Sequence, residues 1–306
     1  MNKYKYPSPG SSLWQLQQLL PLFSVVLLLA TAGCRQDRLP GERPLKLRFG
    51  SISQAGSAAI REIEVFVFDD QLRLIGRATT TVDGTLSLDY PHTSTLHCIA
   101  WGNSKNNSLE ISTLQPGDPL EKGNLALTPL SPAQDGTTYS NLPPDLFRGT
   151  IKLDNNATTA AQPSNRMVML RTTASIHITI DGLSETIGTA AGLYTVEISK
   201  AASHVDFEGN YGGTATHRLT GSFNAQKEYV IPPFRLFPPA VGKGITIAIF
   251  HDGILLKRIT QTSDRQPIRP EAGKDLKLLI IFDPGGDVEV KAPGWNTSDV
   301  EVVYPK

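Results

Sequence analysis

The chain has 306 residues, 29 Lys+Arg against 29 Asp+Glu, and two cysteines. An even charge balance argues for neither a nucleic acid nor an acidic substrate, and two cysteines cannot staple a disulfide scaffold. Stability has to come from core burial and sheet hydrogen bonds.

The N-terminal region carries an apolar run over 19–30, followed by Leu29-Ala30-Thr31-Ala32-Gly33-Cys34. Its length suits a signal peptide and falls short of a membrane span. A hydrophobic segment, then small residues, then cysteine is the layout of a bacterial lipoprotein signal. Cleavage between Gly33 and Cys34 is expected, with lipid attached at Cys34, leaving 273 residues with 27 Lys+Arg against 29 Asp+Glu. Acyl chains contribute about 0.8 kcal/mol per buried methylene, so two or three hold a protein at a membrane without a spanning segment. An ordinary secretory signal that happens to end at a cysteine is the alternative.

From 45 onward the pattern is strand, turn, strand. Residues 45–50 alternate apolar and polar, and 63–68 (Ile-Glu-Val-Phe-Val-Phe) are β-branched and aromatic. Asp69-Asp70-Gln71 turns the chain into 72–75; Asp83-Gly84 leads into 86–90; 95–101 reads as a buried central strand containing Cys98. Residues 103–134 read as loops with one short helix, 147–153 as a strand, and 154–165 as a linker. Further strands are expected at 167–171, 174–180, 195–198, 245–250, 254–259, 274–282, 288–290 and 299–303, with His251-Asp252-Gly253 a tight hairpin. With no long helical periodicity, the expected class is all-β: two tandem antiparallel β-sandwiches, 34–160 and 161–306, after a signal peptide over 1–33.

Catalytic chemistry is hard to place. The chain lacks G-x-S-x-G, H-E-x-x-H and C-x-x-C. His97 and Cys98 are strand neighbours and point to opposite faces. Asp69, Asp70 and Asp252 read as turn residues, His204 and Asp206 share one face without a third ligand, and 209–213 reads as a glycine-rich loop tip. No cofactor, metal or enzymatic activity is expected.

Several phrases, in order, resemble a known family: 63–69 as the first long strand, Cys98-Ile99-Ala100-Trp101-Gly102-Asn103, Asp145-Leu146-Phe147-Arg148-Gly149 with arginine where the family carries an aromatic, Leu170-Arg171-Thr172-Thr173-Ala174-Ser175-Ile176, Gly273-Lys274-Asp275-Leu276 and Gly294-Trp295-Asn296. Behind Cys34, they are similar to the FimB-type anchor subunits of the type V pili of Bacteroidota. The resemblance implies two transthyretin-like sandwiches on an outer-membrane lipoprotein held by lipid at Cys34 and displayed at the cell surface. It also implies a fimbrial stalk subunit as partner, joined by β-strand exchange. The anchor keeps its own first strand, 45–50, accepts no donor, and so ends polymerisation. Arg38 and Arg43 precede that strand and are expected to resist cleavage. Residues 295–306 or 288–290 would pair with the stalk; 295–306 reads more readily as the last strand of the second sandwich. The runner-up function is a surface lipoprotein that binds a glycan or host protein.

Overall fold

The structure, a computed structural model, describes residues 44–51, 60–130, 136–154, 165–283, 285 and 287–292. Gly33, Cys34, the expected boundary at 160/161 and the segment 295–306 lie outside them. The described residues all fall in one compact unit. No described helix is long and apolar enough to cross a membrane.

The chain is nearly all β, as the strand-by-strand reading requires. The first half contains β1 (Leu45–Ser51), β2 (Ile63–Phe68), β3 (Leu74–Thr80), β4 (Thr85–Leu88), β5 (Thr95–Gly102), β6 (Leu109–Ile111), β7 (Asn124–Leu127), β8 (Phe147–Asp154) and β9 (Arg166–Arg171). Seven of these form one sheet in the order β3-β2-β5-β8-β9-β1-β4. Only Phe147↔Arg171 and Arg148↔Leu170 join β8 to β9. At that corner the sheet folds over, so that β9-β1-β4 covers β3-β2-β5-β8. Leu45, Leu47 and Phe49 of β1, Ile63, Val65 and Val67 of β2, and Met167 and Met169 of β9 share the core between them.

The alternate residues of β2 are buried too. Phe66 and Phe68 meet a second core with Trp101, Leu125 and Leu146, completed by residues from much later in the chain: Val205, Phe207, Ala215 and Phe237. Val205 lies on β12 (His204–Asp206) and Phe207 just after it; β12 and β13 (Tyr211–Gly212) extend β6 and β7 into a four-stranded sheet, β13-β12-β7-β6. The stretch 209–213, read as a loop tip, is therefore the turn and return strand of a hairpin docked on the first half.

The second sandwich starts at β10 (Ala174–Asp181). It packs a sheet β15-β16-β10-β19-β20 on a sheet β14-β11-β17-β18. The elements are β11 (Tyr194–Ala201), β14 (Ala215–Leu219), β15 (Ser222–Phe223), β16 (Tyr229–Leu236), β17 (Thr246–His251), β18 (Ile254–Ile259), β19 (Asp275–Phe282) and β20 (Val288–Lys291), with a five-residue helix Leu183–Ile187. Ile176, Ile178 and Ile180 face Val196, Ile198, Ile247 and Ile249 across its core. The turn between β17 and β18 is the one expected: Asp252 and Gly253 both have positive φ, 48° and 80°, as a type I′ hairpin demands. Among the described residues pairing is antiparallel except at two ladders, β1–β9 and β10–β19.

Candidate functional site

Strand β1 is the natural place to look for function, because both of its edges are engaged. Leu45 to Arg48 pair with Leu88 to Thr85 of β4, and Arg48 to Ser51 run parallel to Arg166 to Met169 of β9. The Arg48 amide also donates to the Asn165 carbonyl at 2.8 Å. Leu45, Leu47 and Phe49 are 3%, 0% and 6% exposed. At about 1.5–3 kcal/mol each, their burial contributes on the order of 5–8 kcal/mol before ordering costs. Taking β1 away would open a trough floored by Met167 and Met169, with unpaired backbone along β4 and β9. That is the form of site a strand from another chain fills. Here the chain fills it with its own residues.

Strand β20 lies at one edge of the second sandwich. It pairs with β19 alone, and its Val290 is buried in the second core. Ser263 closes part of its outer side: the Ser263 amide donates to the Val290 carbonyl at 3.0 Å, and the Val290 amide to the Ser263 hydroxyl at 2.7 Å. Beside it lies a cavity of about 520 Å³, with Ile268, Leu276 and Leu278 on its wall and Thr262, Asp264 and Arg269 around it. Segment 295–306 follows directly in sequence.

Between the halves, Asp145 holds two arginines. Arg171 at the end of β9 donates through Nε and Nη2 to its two oxygens at 2.6 and 2.9 Å, and Arg235 of β16 lies 3.2 Å from the second oxygen. The Asn103 side-chain amide fixes the Asp145 carbonyl at 2.8 Å. Burial lowers the Arg235 pKa; Asp145 and Asp275 oppose that fall, while Arg171 adds to it. Arg235 Nη1 is buried without a hydrogen-bond partner. Arg148 forks onto the Phe207 carbonyl at 3.1 and 2.6 Å, with its guanidinium 6.0 Å from the Trp101 ring centre. It thereby ties β8 to the turn after β12. Tyr211 donates to the Thr172 carbonyl at 2.7 Å, and burial pushes its phenol up to about 12.

The remaining sequence candidates take structural places. Cys98 is 1% exposed and its thiol is raised to about 12 by burial, so it is a core hydrophobe. Asp69 accepts from the Gln71 and Arg73 amides, as turn carboxylates do, and Asp252 accepts from the distant Leu193 amide, tying its hairpin to the start of β11. Asp206 accepts from the backbone and side chain of Asn210. Among the described residues no three His, Cys, Asp or Glu side chains converge as metal ligands. Trp101 is fully buried and offers no face for a sugar to stack on. Sequence reasoning missed the docking of Arg148 on the Phe207 carbonyl.

Comparison with known proteins follows the same line. The chain is 24% identical over 282 residues to the major fimbrium anchoring subunit FimB of Porphyromonas gingivalis, covering 85% of this chain and 89% of that one. Its fold matches the fimbrial anchor protein Mfa2 of Porphyromonas gingivalis at a TM-score of 0.56 and 14% identity, over 83% of this chain and 97% of the other. A candidate polysaccharide-binding protein of Bacteroides thetaiotaomicron matches at 0.61 and 12% identity, over 85% and 100%. The family model described as fimbrillin-A associated anchor proteins Mfa1 and Mfa2 matches residues 40–301. An all-β chain whose first strand sits in its own sheet, matched over nearly its whole length by that model, belongs to the Mfa2 family of fimbrial anchor proteins.

Proposed function

We propose that this fimbrial anchor is the lipid-tethered end of its fibre. The chain is cleaved before Cys34, acylated there, and held in the outer membrane with residues 44–306 at the cell surface. A stalk subunit joins it by strand exchange, using 295–306 of the anchor as the donated segment. Val290 lies in its own core, which favours 295–306 over 288–290. The observation that carries the reading is the occupied slot. Because β1 already sits between β4, paired over 45–48, and β9, paired over 48–51, no incoming donor finds a vacancy, and growth stops at this subunit.

The test is a strain carrying Cys34→Ser, with fimbriae on cells and in the medium compared by electron microscopy and immunoblot. Long fibres accumulating in the medium are expected. Fibres of normal length still attached to cells that make demonstrably unlipidated protein would overturn the proposal.

A further inference from the structure

The end strand of a sheet carries backbone N–H and C=O groups with no neighbour, and a fold has to cover or defend them. In the second sandwich three of the four end strands are provided for. The Thr216 carbonyl of β14 accepts from the Ser140 amide at 2.8 Å, Val290 of β20 exchanges bonds with Ser263, and β15 is only two residues long. Strand β18 is the exception. Its six residues pair with β17 alone, and among the described residues no backbone group bonds to 254–258 from the other side. Ile254 and Leu255 are 70% and 43% exposed. Arg258 is exposed and Lys257 half-buried, and neither makes an ion pair or hydrogen bond among the described residues. The register puts these two cations on opposite faces. Lys257 pairs with the core residue Ile249, whereas Arg258 lies in the outer row Glu197–Ala248–Arg258. The acid in that row, Glu197, is two strands away and already holds Arg218.

We infer that β18 is a docking edge for an extended strand of another protein, one with two adjacent acidic residues among aliphatic ones. In such an addition main-chain hydrogen bonds give the affinity and side chains give the choice. Successive residues of a strand face opposite ways, so consecutive acids meet Arg258 on one face and Lys257 on the other. Aliphatic residues beside them then cover Ile254 and Leu255. The same charges exclude other occupants. A second copy of β18 laid alongside would crowd four cations into one short ladder, and a basic strand would do the same. Attraction and exclusion therefore select an acidic strand. This edge is separate from the β1 slot and from lipid at Cys34, so the inference does not depend on the proposed function.

The test uses the full chain, purified in non-ionic detergent, and a labelled probe peptide, Thr-Val-Glu-Glu-Val-Val-Thr, followed by fluorescence anisotropy. Saturable binding that weakens with salt is expected, and none by the matched peptide Thr-Val-Lys-Lys-Val-Val-Thr. Two cross-strand ion pairs together are worth roughly tenfold, so K257Q/R258Q should weaken the acidic probe about that much. Neither cation has a partner to lose, so the melting temperature should not move, which separates lost binding from lost folding. Methylating alternate amides of the probe should abolish binding when the methyl groups lie on its bonding edge and spare it when they lie on the other. A merely ionic contact would not distinguish the two. Equal binding of the acidic and basic probes, no binding of the acidic one at millimolar concentration, or an affinity unchanged in K257Q/R258Q would overturn the inference. So would a solution dimer with the 254–258 amides protected from exchange before any probe is added, which would assign the edge to a second copy. Binding that appears only after residues 293–306 are removed would also overturn it, by giving the edge to the chain's own C-terminal segment. Failure of the Cys34→Ser test would leave this result unaffected.

Discussion

If β1 is a filled slot, weakening its hold should empty it. Leu47→Ala and Phe49→Ala remove two side chains that are 0% and 6% exposed. Large-to-small changes at such sites cost about 2–5 kcal/mol for Leu and 3–5 for Phe. The two share a strand and a core, so the sum will not be strictly additive, but roughly 5 kcal/mol is a conservative total. For a unit of this size each kcal/mol lowers Tm by about 2–4 °C, so a fall of at least about 10 °C is expected. The more telling readout is local. Lys46, paired with β4, and Arg48, paired with both β4 and β9, are trypsin sites inside the strand, so brief trypsin treatment should cut the double variant there and spare the parent. A labelled peptide of residues 44–51 should then bind the double variant, measured by fluorescence anisotropy, and not the parent. An unchanged Tm with equal cutting of both proteins would refute the argument that β1 is held by these side chains. Cutting without peptide capture would refute the claim that the vacated trough accepts a strand.

Phe207 lies 4.7 Å from Phe66 and 5.9 Å from Trp101 between ring centres. Phe207→Ala should therefore cost about 3–5 kcal/mol in urea unfolding and disturb the first half, although Phe207 comes from the second. Asp145→Asn would leave Arg171 and Arg235 facing each other without a carboxylate. Since these side chains are 15–28% exposed, the cost should be about 1–3 kcal/mol, seen as a lower urea midpoint at constant m-value. Cys98 should resist maleimide in the folded protein and react on unfolding. Its thiol is raised by burial from 9.0 to about 12, and a folded pKa above the unfolded one means stability intact below pH 9 and lost as pH rises from 9 toward 12. The slope should be about 1.4 kcal/mol per pH unit for that group, and Cys98→Ala should remove it from the alkaline limb of the denaturation curve. In the other direction, burial lowers the His217 pKa while its bond to the Ser140 carbonyl raises it, and the net is a fall. Stability tied to His217 is therefore present above pH 6.5 and lost below it.

Much of this architecture is legible in the chain because period-two alternation is a local signal. Strands β1 and β10 announce themselves that way, β5 does so as a short apolar run, and Asp252-Gly253 announces its own turn. Strand β16 does not: Tyr-Val-Ile-Pro-Pro-Phe-Arg-Leu looks interrupted. The prolines are tolerated because they sit at a bulge, between Ile176↔Phe234 and Ile178↔Ile231, past the reach of β15. Strands β12 and β13 are three and two residues long, too short for any period to register. What makes them strands is the neighbour they extend, a contact between residues some eighty positions apart that no local pattern encodes. The slot is half legible for the same reason. The sequence marks β1 as a strand, whereas its parallel pairing with β9 exists only in the folded sheet.

That parallel pairing has a mechanical meaning. The hydrogen bonds of both ladders run across the axis of β1, and the strand enters the fold at Pro44, the end nearest any upstream attachment. Force arriving through Pro44 along the strand loads the rungs in shear, together, rather than peeling them open one after another. How long the grip lasts under tension is then governed by the unfolding rate of the whole sheet and not by the strength of its weakest bond. A strand that completes the fold is, in these terms, also the hitch by which a fibre under drag would be held.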